Sequence, residues 1–101
     1  MVTSDDKIEV ENVNTPGRVT RVDRAKYEAM NAAIKSALPQ SAPGLTQSES
    51  IQAAKKHLPN DLFPGGDKAG WWFKCVQLDM EAKGSLVREK TKPLRWHLPK
   101  G

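Results

Sequence analysis

An α+β fold is predicted by three features of this 101-residue chain. Apolar residues recur at helical spacing in three stretches, Gly- and Pro-containing segments separate those stretches, and the spacing switches to strand-like alternation near both ends. The expected architecture is a short N-terminal strand, three helices and a C-terminal β-hairpin. Residues 1–7 are expected to form a flexible N-terminus and residues 8–101 a single domain, since a chain of this length has room for one small core.

Each element has its own signal. Ile8, Val10 and Val13 among Glu9, Glu11 and Asn12 alternate as a half-buried strand, which Pro16 and Gly17 end and which needs a partner. Between Val22 and Leu38 the residues Tyr27, Met30, Ile34 and Leu38, with Ala33 and Ala37 beside them, place one apolar stripe on a first helix. Asp23, or Thr20 together with Asp23, supplies its N-terminal cap. Pro39 to Leu45 reads as a loop. Thr46-Gln47-Ser48-Glu49 then has the form of a capping box, in which the hydroxyl and the carboxylate each satisfy a backbone N–H left over in the first turn. The second helix runs to about Leu58 and buries Ile51, Ala54 and Leu58. Irregular chain from Leu58 to Asp67 follows, with Leu62 and Phe63 expected to anchor it on the core. Asp67 is expected to cap a third helix from Lys68 to Lys83, which Gly84 stops by taking a left-handed conformation. Leu86 to Thr91, a Lys92-Pro93 turn, and Leu94, Trp96 and Leu98 alternating with Arg95 and His97 read as the hairpin.

Composition narrows the function classes. The lone Cys75 cannot close an intrachain disulfide, and with His57 and His97 it gives no spaced metal-ligand set, so neither metal nor cofactor is expected. No apolar run approaches membrane-spanning length and the first residues lack an apolar signal core, so a cytoplasmic location without membrane contact is expected. Charge is unevenly placed. Residues 68–101 carry eight basic residues against three acidic ones, a net of +5, whereas the first 67 sum to −1. Clustered Lys and Arg gain by displacing counterions from a polyanion, although they also serve simply to keep a surface soluble.

The order helix, helix, helix, hairpin, with Met80-Glu81-Ala82-Lys83-Gly84 leading into Leu86-Val87-Arg88-Glu89, resembles the winged helix-turn-helix superfamily. The resemblance makes the third helix the recognition helix and the hairpin the wing. Phe63-Pro64-Gly65-Gly66, Gly70-Trp71-Trp72, Val76-Gln77-Leu78-Asp79 and Lys92-Pro93-Leu94-Arg95-Trp96-His97 together resemble a family of short uncharacterised bacterial proteins, which brings no known activity. The connection from Leu58 to Asp67 is longer than the three or four residues of a tight helix-turn-helix.

Two functions are open on these residues. DNA binding, with transcriptional regulation following if the binding is sequence-specific, is expected to use Lys74, Gln77, Arg88, Lys90, Lys92 and Arg95, mainly on phosphates. On the third helix, Trp72, Val76, Met80, Ala69 and Phe73 form one apolar face, leaving Lys74, Gln77 and Glu81 exposed. A second face of Trp71, Cys75, Leu78 and Ala82 suits the alternative, a protein-interaction or homodimerisation module. Adjacent Trp71, Trp72 and Phe73 also suit stacking on unpaired bases, although at least two of them are expected in the core. The Gly65-Gly66 turn lacks the phosphate-loop form. No enzyme is expected: Cys75 sits among apolar residues that raise a thiol pKa, Asp79 and Glu81 lie about 200° apart around the helix, and both His are expected at the surface.

Overall fold

The first sheet answers the need of the N-terminal strand for a partner. In the computed structural model, which describes residues 7–99, β1 (Lys7–Glu11) pairs antiparallel with β2 (Val19–Asp23), with Ile8 opposite Val22 and Val10 opposite Thr20. Residues 1–6 of the expected flexible segment lie outside the described residues, and Lys7 belongs to β1. Val10 and Val22 point into the core, while Glu9 faces Arg21 on the outer side. Val22 is therefore a strand residue, and the first helix starts two positions later than its apolar stripe suggests.

Helix α1 (Arg24–Ala37) buries Tyr27, Met30, Ala33 and Ile34, and the Asp23 carboxylate accepts from the Lys26 N–H as its cap. Leu45, the last residue of the expected Pro39 to Leu45 loop, joins Thr46 in a short strand, β3 (Leu45–Thr46). Helix α2 (Gln47–Lys55) begins with the full Thr46/Glu49 capping box, and the Thr46 amide holds the Glu49 carboxylate below its usual pKa. It ends at Lys55, short of Leu58. Phe63 then anchors the connecting chain, followed by a 3₁₀ turn at Pro64–Gly66.

Helix α3 (Ala69–Ala82) is capped by Lys68 rather than Asp67. Lys68 takes a left-handed conformation (φ 59°) and gives the helix no side-chain hydrogen bond. At the other end Gly84 (φ 78°) turns the chain so that the N–H of Ser85 reaches the Met80 carbonyl and its own N–H reaches Glu81, the two bonds of a Schellman stop. Strands β4 (Val87–Glu89) and β5 (Arg95–His97) pair antiparallel, and β5 also pairs with β3, giving the order β3-β5-β4. The expected two-stranded hairpin is thus part of a three-stranded sheet with its last strand at the centre. The fold is mixed α+β, with three helices and two sheets among the described residues. Met30, Ile34, Phe63, Phe73, Val76 and Met80 form its fully buried centre. No helix is long and apolar enough to cross a membrane.

Candidate nucleic-acid interface

Of the three polar residues of α3 that the sequence places outside, Lys74, Gln77 and Glu81, the last two are covered. Gln77 is only 2% exposed, and the Glu81 side chain is also largely covered, because Glu81 collects donors from three places. Gln77 Nε2 donates to it from one turn earlier, Arg88 Nη2 donates to it at 3.1 Å from β4, and Trp96 Nε1 lies 3.3 Å from it on β5. Arg88 also covers the Trp96 ring at 5.8 Å. A carboxylate with three donors, one of them a guanidinium, is well compensated for leaving water. This cluster fixes the β4–β5 sheet against α3. It also engages Arg88 inside the fold. Arg95 is similarly tied, with Nη1 donating to the Gly44 carbonyl at 3.2 Å and lying 3.6 Å from Glu49.

The other expected contacts stand differently. Lys74, Lys90 and Lys92 are exposed and form no ion pair among the described residues. Lys74, Gln77 and Leu78 of α3 line one hollow of about 200 Å³ with Arg88, Leu94 and Trp96, so the helix and the second sheet share a face. Leu94, which lines it, is exposed. Arg18 at the end of the β1–β2 loop was not foreseen. It lines a groove of about 410 Å³ in which Val10, Thr20 and Val22 face Trp71, Cys75 and Leu78. Of the alternative interface, Trp71 is 59% exposed, Cys75 and Leu78 are half-buried, and Ala82 is exposed. Burial pushes the Cys75 thiol up to about 11, as its apolar surroundings predict, with the Asp79 carboxylate adding to the effect.

His97 departs from its expected surface position. It is 9% exposed, with Nε2 2.8 Å from Glu89 Oε2 and Nδ1 2.9 Å from the Leu98 carbonyl. The protonated ring donates to both oxygens, and the Glu89 bond, then the Leu98 bond, raises its pKa above 6.5. A raised pKa in the folded state stabilises fully below the unfolded value and is lost as pH rises through the folded value. His97→Gln is therefore expected to flatten the fall in melting temperature between about pH 6 and 8. An unchanged slope in that variant would assign the dependence to another group.

Among the described residues, no group of three or more His, Cys, Asp and Glu is placed to hold a metal ion. No curated protein and no solved structure matches the chain. Residues 7–96, from the first paired strand to the Trp96 that closes the Glu81 cluster, match a family described as Family of unknown function (DUF6958), and the chain belongs to that family.

Proposed function

We propose that the protein binds nucleic acid through a winged-helix arrangement, chiefly by contacts of Lys74, Lys90 and Lys92 with the phosphate backbone. The observation that carries this reading is topological. The order α1, β3, α2, α3, β4, β5, with strands arranged β3-β5-β4, matches the way a winged helix strings its elements, and Arg88 and Leu94, which flank the Lys90–Lys92 turn, line a hollow together with Lys74 of α3. Base reading is narrowly supplied. With Gln77 turned into the Glu81 cluster, Lys74 is the basic donor left on that face, so backbone contacts dominate the proposal.

The test is anisotropy of a labelled random duplex across a salt series. Each lost phosphate contact flattens the log-log salt slope by about 0.9, so Lys74→Ala, Lys90→Ala and Lys92→Ala combined are expected to flatten it by about 2 to 3. Arg88 and Arg95 are left intact because their removal disturbs the fold. Absence of salt-dependent binding at low ionic strength would end this reading. The second reading, self-association or capture of another protein, is favoured by the exposed Trp71 beside Cys75 and Leu78. It expects a concentration-dependent dimer in sedimentation that Trp71→Ala dissolves.

A further inference from the structure

We infer that Trp71 is a stacking platform for an unpaired nucleobase, and that the flanking phosphates are held by Lys26 and Lys68. The inference rests on the nucleic-acid reading and deepens it by naming single-stranded nucleic acid as the ligand of this part of the surface.

The three consecutive aromatics of α3 have separate fates. Phe73 and Trp72 are buried, whereas Trp71 is the most exposed large apolar side chain described. Trp71 does not hang loose. Its ring stands 5.0 Å from that of Trp72, inclined at 79°, and Trp72 is braced in turn at 6.3 Å and 87° by Phe63. This row of edge-on rings runs from the core to the surface and fixes the outermost one in place. A rigid exposed indole loses little conformational freedom when a planar group lies on it.

What surrounds Trp71 selects the planar group. A hollow of about 490 Å³ is lined by Lys26 of α1, Lys68 at the start of α3, Trp71 and Trp72. No carboxylate lines it, and neither lysine forms an ion pair among the described residues. The same indole also lines the neighbouring groove, to which Arg18 contributes and where Glu11 is the one acidic residue. An aromatic surface bordered by cations from three separate segments is complementary to a base and its neighbouring phosphates, which is how sequence-tolerant single-strand binders work. Duplex DNA stacks its bases internally and offers no free face to Trp71.

The experiment compares a labelled twelve-residue oligothymidylate with a labelled duplex, using the full chain and the variants Trp71→Ala, Trp71→Phe and Lys26→Ala/Lys68→Ala. Trp71→Ala is expected to weaken oligothymidylate binding by about ten-fold or more while leaving duplex binding within about two-fold, and Trp71→Phe is expected to restore most of the loss. The double lysine variant is expected to weaken the oligothymidylate selectively and to lower its salt slope. Unchanged oligothymidylate binding in Trp71→Ala, or equal losses on both ligands, would overturn the platform. Duplex binding without oligothymidylate binding would overturn it while leaving the winged-helix reading intact; the converse would uphold the platform and remove the wing. Since Trp71 is largely outside the core, the melting temperature of Trp71→Ala verifies that the comparison is made between folded proteins.

Discussion

Gly44→Ala is expected to destabilise the protein by about 4 to 5 kcal/mol, among the largest effects a single substitution produces. Gly44 holds φ at 88°, and a Cβ built there meets the Trp96 carbonyl oxygen at 2.0 Å and its carbon at 2.5 Å. Those are backbone atoms of the central strand, so no side chain can swing aside. Relief requires moving β3 away from β5, which breaks the Leu45–Trp96 pairing and the Arg95 bond to the Gly44 carbonyl. Gly17 provides the control. Its φ is 89°, yet nothing lies within 4 Å of its added Cβ, so Gly17→Ala carries only the left-handed backbone cost of about 1 kcal/mol. Urea denaturation of the two variants separates close approach from conformation. Similar midpoints for both would show that the contact at Gly44 relaxes without loss of the strand pairing.

Removing the Asp79 carboxylate is expected to cost about 3 kcal/mol, because the buried Tyr27 hydroxyl and the Glu11 N–H both lose their acceptor. Asp79 is 0% exposed. It accepts from the Tyr27 hydroxyl of α1 and from the Glu11 N–H of β1 at 2.8 Å, and Lys83 one turn later lies 2.9 Å away. One side chain thus joins both early elements to α3. The arrangement also holds the Tyr27 phenol far above its usual pKa, through burial first and the Asp79 hydrogen bond second. Lys83 stays partly exposed, so water receives its charge when Asp79→Ala is made. Tyr27→Phe alone is expected to cost about 1 to 2 kcal/mol, since Asp79 retains its other partners. The two changes together are expected to cost less than their sum, because each removes the same bond. Strict additivity would deny the link. Hydrogen exchange at the Glu11 amide gives a local reading, with faster exchange expected in Asp79→Ala.

How far this network was legible follows from the distance over which each signal acts. Caps and stops were readable because their chemistry lies within a few residues: Asp23 to Lys26, Thr46 with Glu49, and Gly84 after α3. The stripe of Tyr27, Met30 and Ile34 was readable for the same reason. Strand β2 was hidden because only Val22 of its five residues is buried, leaving no alternation to see. Strand β3 is two residues long, below any period. Gln77 and Glu81 looked like solvated positions on a helix, and nothing local marked Asp79 as buried. All three are covered because Tyr27, Arg88 and Trp96 arrive from other segments, and the Tyr27–Asp79 bond spans 52 positions. The same blindness affected the candidate site. Arg88 and Arg95 counted as free cations until the fold supplied Glu81 and Glu49, whereas Lys26 and Lys68 drew no notice until α1 and α3 met beside Trp71.

The central place of β5 sets an order of events during synthesis of the chain. Strand β3 emerges early, yet its partner lies in the segment made last among the paired elements, with Gly44 and Arg95 separated by 51 residues. At about 5–20 residues per second, a nascent chain carries β3 unpaired for several seconds, with α1 and α2 already able to form from local signals. The β4 edge has no neighbour until the same moment. Arrival of residues 95–97 therefore acts as a zipper pull that closes both ladders at once, and translation pausing just before Arg95 would prolong the interval in which strand edges can meet those of another nascent chain.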